Sequence, residues 1–458
     1  MTKRVYLSAI LIVQCSILFA QVKLRENMFI EKLPNGLDVL VVEDNSTPLA
    51  TVMITFKAGP FTETPQTNGL SALYQNMIFR ANKDYSTSLD LRFSADRLGM
   101  ELMNTSGTEE CTKAFFTLPK INIDTGLVFM NNCIRYPKID IDDLEKEKQA
   151  DENQLLGKES NPFYTLNIAT LHHLWGNQFY RKLPIGNREA IHSATRQLLI
   201  DSVKNKYYYP NNALLIVAGD VNHEAVFKKV RAIYGSWKSS ISDPFKKWPV
   251  AELKPLKKAD YFIVESQLAR TPILAISWQG PDTRNDVHST YAADVFSYIM
   301  NQNSSRLSKA LIQSGLALRV NVNYLTLKRV GPITITIVPN PEKVKECIQE
   351  IKKQIALMDS DDYVTDEQIA TAKRILEIHQ IREEEITTDY VHVLSFWWAS
   401  ASINYFMTYN DNLKKITRGD LQAYVRRYIK EKPFCAGLLT GPGQKAGLNV
   451  ESFFTANN

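Results

Sequence analysis

The chain has 458 residues, of which 44% are hydrophobic and 22% are charged. This composition is typical of a globular protein with more than one buried core, and it excludes disordered, collagen-like and disulfide-stapled miniprotein classes. The formal charge of +5 at pH 7 is too small to indicate a nucleic-acid partner.

The first 20 residues have the pattern of a secretory signal peptide. Lys3 and Arg4 precede an apolar run that ends at the small residue Ala20. This run is shorter than the roughly 20 residues that a membrane span needs, and no later stretch is long and apolar enough to be one. We therefore expect an exported protein of the periplasm or cell envelope, with no membrane span once residues 1–20 are removed. An uncleaved N-terminal anchor is the alternative.

Residues 21–238 predict a first domain that mixes strands and helices. Apolar runs at 29–33 and 37–42 flank an Asn-Gly turn and predict a β-hairpin, and residues 49–57 predict a third strand. Apolar residues at helical spacing predict a helix over 69–80. Further helices are predicted over 89–98, 126–135, 195–208 and 223–234, and a long charged helix is predicted over 144–154. A further strand is predicted at 212–218, between the last two helices.

Residues 239–258 predict a linker near the middle of the chain. Serines, prolines and lysines are concentrated there, and such residues favour turns and solvated irregular backbone. The linker leads to a second domain at 259–447, which we expect to be followed by a tail at 448–458.

The two halves show the same order of elements at their ends. When Thr195 is aligned with Thr417, a shift of 222 residues, Gly219 meets Gly441 without a gap. Each half then ends as helix, turn, apolar strand and glycine, which indicates a duplication. Runs of strands and helices in each half favour an α+β class, with a sheet that carries helices on one face.

Local signatures of catalysis are missing from the sequence. There is no GxSxG motif and no GxxxxGK[ST] motif, and no two of the seven histidines lie four residues apart. The cysteines that follow the leader are widely spaced and form no CxxC pair, which favours free buried thiols over a zinc site. These cysteines are Cys111, Cys133, Cys347 and Cys435.

Short motifs occur along the chain in an order that is specific to one family. In the first half they are Asn35-Gly36-Leu37, Phe56-Lys57-Ala58-Gly59, Glu63, Gly69-Leu70-Ser71, Met77-Ile78-Phe79-Arg80, Leu144–Lys148, Leu183-Pro184-Ile185-Gly186, Thr195-Arg196 and Tyr209–Val221. In the second half they are Ser305-Arg306-Leu307, Gly315-Leu316-Ala317 and Leu421–Tyr428. Together they resemble the M16 family of insulinase, pitrilysin and the mitochondrial processing peptidases. The resemblance implies two similar M16-type (LuxS/MPP-like) domains joined by a linker, each a mostly antiparallel sheet with helices packed on one face.

Active members of this family carry His-x-x-Glu-His on the helix after the glycine turn. The histidines share one helix face and hold Zn²⁺, while the glutamate polarises the attacking water. In this chain the resemblance places the two histidine positions on Ala72 and Asn76, and the general-base position on Gln75. Alanine has no donor atom and carboxamides are poor zinc ligands, so we expect no metal and no general base here.

The third zinc ligand of the family is a glutamate on a later helix. This position falls on Gln154 if Glu147 is the retained helper glutamate of the family, or on Glu152 after a two-residue slip. Active members also use an arginine and a tyrosine of the second domain to hold the substrate backbone. These positions fall near Ile312 and Leu318, whose side chains cannot form hydrogen bonds.

The resemblance therefore implies an M16 peptidase-like chain with no cofactor and no activity on its own. We expect a non-catalytic subunit of a hetero-oligomeric zinc metalloendopeptidase that acts on peptides or unfolded protein segments. Its expected partner is an M16 paralogue with an intact zinc motif. The alternative is a stand-alone peptide-binding or scaffold protein of the cell envelope, with no peptidase partner.

Overall fold

The computed structural model of the protein describes residues 24–443 and 448–455, so the predicted signal peptide lies outside the described residues. One β-sheet organises each half of the chain. The N-terminal sheet contains β1 (Met28–Lys32), β2 (Asp38–Glu43), β3 (Leu49–Phe56), β4 (Glu101–Gly107), β5 (Thr112–Pro119) and β6 (Ala213–Gly219). The C-terminal sheet contains β7 (Asp260–Glu265), β8 (Ile273–Gln279), β9 (Ala317–Tyr324), β10 (Pro332–Pro339) and β11 (Cys435–Thr440).

Helices fill the connections between the strands. In the first half they are α1 (Leu70–Met77), α2 (Ser88–Arg97), α3 (Ile123–Arg135), α4 (Ile141–Glu159), α5 (Pro162–Trp175), α6 (Arg188–His192), α7 (Arg196–Leu199), α8 (Asn205–Tyr207) and α9 (His223–Tyr234). In the rest of the chain they are α10 (Pro244–Lys247), α11 (Val287–Met300), α12 (Arg306–Ser308), α13 (Val344–Leu357), α14 (Asp366–Glu383), α15 (Thr387–Ser400), α16 (Ile403–Met407), α17 (Tyr409–Lys415), α18 (Arg418–Tyr428) and α19 (Val450–Thr455). Segments of π-helix, Ile200–Lys204 and Lys309–Gln313, follow α7 and α12.

The strand orders of the two sheets confirm the predicted duplication. The N-terminal sheet runs β1-β2-β6-β3-β5-β4, and the C-terminal sheet runs β7-β11-β8-β10-β9. Without β1, the two orders correspond strand for strand. Among the described pairs, β2 with β6 and β7 with β11 are parallel, and the others are antiparallel. The mostly antiparallel α+β architecture is therefore as the sequence predicted.

Both faces of each sheet are covered, and the second face is covered by the other half. On the N-terminal sheet, Met53 and Ile216 pack against Val391 and Leu394 of α15. In the same way α5, through Leu166, packs on the outer face of the C-terminal sheet. The sequence predicted helices on one face of each sheet. This is correct for the helices that a half packs on its own sheet, but a helix of the other half covers the second face. The reciprocal exchange of α5 and α15 joins the halves through buried apolar surface.

Residues 448–455 differ from the expected tail. Val450 and Phe454 of α19 are buried, and α19 packs against β7 and α13. The apolar spacing of i and i+4 places both side chains on one helix face, which closes the second core. The predicted linker at 239–258 is described throughout, and it contains no strand and one short helix, α10.

The four cysteines of the described residues are free and buried, which is the state that their wide spacing favoured. Burial raises the pKa of the thiols of Cys133, Cys347 and Cys435 to about 12, so these groups stay protonated and unreactive at neutral pH. Among the described residues, no helix is long and apolar enough to cross a bilayer.

Candidate functional site

Glu63 holds the N-terminus of α1, the helix on which the family motif falls. Its buried carboxylate accepts hydrogen bonds from the backbone N–H of Gly69 and of Ser71, both at 2.8 Å, and from the side-chain amide of Asn68 at 2.9 Å. The first N–H groups of a helix have no partner within the helix, so a carboxylate there satisfies them. Burial raises the pKa of Glu63, and the three N–H donors act in the opposite direction.

A close approach of two glycines sets the loop beside α1. Gly69 has φ 103° and Gly186 has φ 87°, both in the left-handed region that glycine favours. A Cβ added to Gly186 would lie 2.2 Å from the Cα of Gly69. Pro184 and Ile185, in the same loop, form part of the wall of the neighbouring cavity. The two glycines therefore position this wall against α1.

Replacing Gly186 with alanine is expected to lower the free energy of unfolding by about 2–4 kcal/mol, because the new Cβ meets backbone atoms and the φ is unfavourable. Urea denaturation measures this loss. Gly157→Ala is the matched control, since a Cβ there meets nothing within 4 Å. Gly157 lies in α4, where alanine is the better helix former by about 1 kcal/mol, so this variant should be slightly stabilised. Equal effects of the two changes would contradict the close approach.

The structure brings the degenerate motif positions together around one cavity of about 310 Å³. This α1–β4 cavity lies where α1 packs against α4 and the edge strand β4. Ala72, Gln75 and Asn76 line it from α1, and Gln154 lines it from α4. The cavity also contains Asp151, which was not among the predicted site residues. Asp151 lies four residues after Glu147 and three before Gln154, a spacing that places it on the same face of α4.

The side chain of Gln75 contacts the edge strand β4. Gln75 is buried, and Ser106 lies on β4, whose outer edge is unpaired among the described strands. In the amide orientation that satisfies both residues, Nε2 of Gln75 donates to the backbone oxygen of Ser106 at 2.7 Å, and Oε1 accepts from its N–H at 3.2 Å. The side chain at the general-base position therefore forms its hydrogen bonds with the backbone of the edge strand.

Asp151 is a buried carboxylate with few partners. Its Oδ1 accepts a long hydrogen bond of 3.5 Å from the side chain of Asn76, and its Oδ2 has no partner in the described structure. Asn76 in turn accepts from the hydroxyl of Thr105 at 3.2 Å. Burial raises the pKa of Asp151 to about 6 because little compensates for the lost solvation of its charge.

Asp151→Asn is expected to stabilise the protein by about 1–2 kcal/mol at pH 8. The folded-state pKa lies above the unfolded value, so the ionised Asp151 destabilises the folded state, and this cost disappears as pH falls from about 6 to about 4. Urea denaturation at several pH values should show the gain above pH 6 and little difference at pH 4. A gain that is independent of pH would show that ionisation is not the cause.

Two of the expected site residues lie outside the α1–β4 cavity. Glu147 is buried and forms an ion pair with the half-buried Arg80. Glu152 turns away and pairs with Arg188 at 2.9 Å and with His192 at 3.2 Å. The geometry therefore places Gln154, and not Glu152, on the same cavity as α1.

The two positions of the second half are also apart from this cavity. Ile312 lies in a π-helical segment and is half-buried, whereas Leu318 at the start of β9 is 62% exposed. Neither residue is part of the cavity lining.

The lining of the α1–β4 cavity does not fit a zinc ion. Zinc in proteins is bound by thiolates, imidazoles and carboxylates. The lining has one carboxylate, Asp151, and one cation, Lys158, with a methyl group and three carboxamides at the four motif positions. Across residues 24–443 and 448–455, no group of three or more His, Cys, Asp or Glu residues is placed to hold a metal ion.

Two family models match the chain. Residues 38–180 match "Insulinase (Peptidase family M16)", and residues 194–376 match "Peptidase M16 inactive domain". The fold, the duplication and these two matches agree, and the chain belongs to peptidase family M16.

Individual proteins of known sequence or structure are also similar to this chain. An uncharacterised zinc protease of Rickettsia felis is 22% identical over 364 residues, which cover 79% of this chain and 85% of that protein. The structure is similar to that of a protease from Helicobacter pylori, with a TM-score of 0.79 at 19% identity over 90% of this chain and 99% of that chain. It is also similar to the periplasmic protease PqqL from Escherichia coli, with a TM-score of 0.75 at 12% identity over 95% of this chain and 51% of PqqL. These structural similarities concern the fold alone.

Proposed function

We propose that this chain is the non-catalytic subunit of an exported zinc metalloendopeptidase. Its partner is an M16 chain with an intact His-x-x-Glu-His motif, and their substrates are peptides or unfolded protein segments. The observation that carries the proposal is the α1–β4 cavity, whose four motif positions hold Ala72, Gln75, Asn76 and Gln154. In this proposal the chain binds no catalytic zinc.

The contrast between scaffold and chemistry supports this proposal. Glu63 still holds the N-terminus of α1, and Gly69 and Gly186 still set the loop beside it. These features position a helix for chemistry, yet the side chains on that helix provide neither a metal ligand nor a base. A subunit that builds one wall of a shared chamber needs the scaffold and does not need the ligands.

The length of PqqL, a structural relative, supports a partner that is about as long as this chain. This chain covers about half of PqqL, 51%, so PqqL contains about as much chain again as one such pair of domains. We propose that a second M16 chain supplies the corresponding half here. PqqL is a periplasmic protease, and this location, together with the leader pattern of residues 1–20, supports export of the present chain to the same kind of compartment.

Co-expression with a paralogue that carries His-x-x-Glu-His tests the proposal. Light scattering of the purified mixture should give the mass of a complex of the two chains, and peptidase activity on an unstructured peptide should be higher in the complex than in either chain alone. Absence of a complex at micromolar concentration, with full activity of the paralogue alone, would overturn the proposal. A stand-alone peptide-binding or scaffold protein would then be the better account.

A further inference from the structure

The C-terminal half contains a counterpart of the α1–β4 cavity. There α11 packs against α14 and β9, as α1 packs against α4 and β4. The helices and edge strand of this second half enclose a cavity of about 460 Å³, which is within the size range of small-ligand sites. We call it the aromatic cavity, because six of its wall residues are aromatic, namely Tyr298, Tyr324, Phe396, Trp397, Phe406 and Tyr409.

A carboxylate lies among these rings. Asp294 of α11 accepts a hydrogen bond of 2.7 Å from the hydroxyl of Tyr409 and a longer one, 3.5 Å, from Thr326. Among the described residues that line the cavity, no lysine or arginine is present to neutralise it. The apolar surroundings raise the pKa of Asp294 to about 7, so a cation bound in the cavity would relieve an unfavourable burial of charge.

A further acceptor in the lining, the side-chain oxygen of Gln380, lacks a donor among the described residues. Gln380 of α14 is only 8% exposed, and its Oε1 accepts no hydrogen bond from the described residues, while its Nε2 donates to Glu384. A buried acceptor without a donor costs free energy that a donor on a ligand would recover. Glu383, one turn further along α14, adds a second carboxylate at the exposed edge of the cavity.

The imidazole of His392 does not oppose a cation. Burial, assisted by the charge of Lys113, lowers the pKa of His392 to about 4, so this ring is neutral at physiological pH. His379 shares a hydrogen bond of 2.8 Å with the hydroxyl of Tyr298. The cavity thus combines carboxylates, an unpaired acceptor and ring faces, which attract cations through their quadrupoles.

We propose that the aromatic cavity is a binding site for a guanidinium or alkylammonium group, such as the side chain of an arginine or lysine residue. An anion would be repelled by Asp294 and Glu383. A neutral apolar ligand would leave the side-chain oxygen of Gln380 without a donor and the charge of Asp294 uncompensated in a drier environment, at a cost in free energy. A guanidinium group supplies several N–H donors to these acceptors while its flat face stacks on an aromatic ring. This site is independent of the proposed pairing with a catalytic subunit.

Fluorescence anisotropy with the purified full chain at pH 8, where Asp294 is mostly ionised, tests the site. The probe is a labelled, unstructured ten-residue peptide of glycine, serine and alanine with one central arginine. The control probe carries citrulline, a neutral isostere, in place of the arginine. We expect the arginine peptide to bind at least about tenfold more tightly than the citrulline peptide, because the charged hydrogen bonds are lost. Equal binding of the two peptides, or no binding of either, would overturn the proposal.

Two variants place the binding in the aromatic cavity. Asp294→Asn keeps an oxygen that can accept from Tyr409 and removes the charge, so affinity for the arginine peptide should fall about tenfold or more. Glu346→Gln removes an exposed carboxylate of α13, away from the cavity, and should bind as the unmodified chain does. Equal loss in both variants would overturn the assignment to this cavity. Since the citrulline comparison uses the unmodified chain, it holds even if Asp294→Asn does not fold.

Competition distinguishes the source of the cation. Displacement of the arginine peptide by N-acetylarginine amide at similar concentration would identify a free cation as a sufficient ligand. Displacement only by an unlabelled arginine peptide would show that the cation is recognised as part of a chain. Both results support a cation site, whereas displacement by the citrulline peptide at equal concentration would contradict it.

Discussion

The combined substitution Ala72→His, Gln75→Glu, Asn76→His and Gln154→Glu is expected to create a zinc site of about one ion per chain. All four side chains line the α1–β4 cavity, and histidines four residues apart on α1 share one helix face. The Gln154→Glu change would supply the third ligand from α4. Elemental analysis and competition with a chromogenic chelator should show an apparent Kd below about 1 µM, whereas the unmodified chain should carry no stoichiometric zinc.

The structure provides a sharp control for the third ligand. The same substitutions on α1, with Gln154 unchanged, leave Glu152 as the other candidate from the sequence. Because Glu152 pairs with Arg188 and His192 outside the cavity, this variant should bind zinc much more weakly. Asp151→Asn in the four-substitution background tests whether the buried carboxylate contributes. A folded four-substitution variant without zinc would show that the correspondence with the family motif is wrong.

Restored zinc binding is not expected to restore full activity. The second-half positions at which the family holds its substrate correspond to Ile312 and Leu318, which have no hydrogen-bonding side chain, and Leu318 is exposed away from the cavity. Metal ligands also depend on a supporting shell of hydrogen bonds, which these four changes do not provide. One zinc ion in the unmodified chain that is lost on Asp151→Asn would contradict the proposed non-catalytic role.

Glu63→Ala is expected to lower the free energy of unfolding by about 3 kcal/mol or more. The substitution removes the acceptor for two backbone N–H groups at the start of α1 and for the amide of Asn68, and it leaves these donors buried. Urea denaturation measures the loss. Because α1 carries three of the four motif positions in the α1–β4 cavity, the variant should also fail to support the engineered zinc site.

Two control variants separate the loss of the Glu63 cap at the start of α1 from a general effect of replacing a glutamate. Glu63→Gln retains one acceptor oxygen, so its loss should be smaller than that of Glu63→Ala. Glu26→Ala changes an exposed glutamate near the start of the described chain and should alter stability by less than about 0.5 kcal/mol. A loss below about 1 kcal/mol for Glu63→Ala would show that water can replace the carboxylate at the helix start.

In the first half of the chain, local patterns were sufficient for several elements that bury one face. The hairpin of β1 and β2, strand β3, and helices α1, α2, α3, α4 and α9 lie where the sequence predicted them. The predicted helix at 195–208 is present as α7, a π-helical segment and α8. In α1, for example, the apolar period is visible within a dozen residues, because one side of the helix faces a core.

Strands with a weak pattern were not predicted. β4 is an edge strand in which each residue is exposed or half-buried, so it shows no clear alternation of apolar and polar residues. Its hairpin partner β5 is buried along most of its length and is held between β3 and β4. Without β4, the wall of the cavity opposite α1 could not be anticipated, nor could the contact between Gln75 and Ser106.

The chemical identity of the site groups is a property of the chain alone. A methyl group at Ala72 and carboxamides at Gln75, Asn76 and Gln154 cannot act as imidazole or carboxylate in any fold. The duplication and the α+β class also follow from residues along the chain. Which of Gln154 and Glu152 faces α1, the presence of Asp151 beside them, and the exchange of α5 and α15 between the sheets follow from packing instead. They depend on which face of a helix meets a surface built by residues far away in the chain, and side-chain spacing within one helix carries no information about that surface.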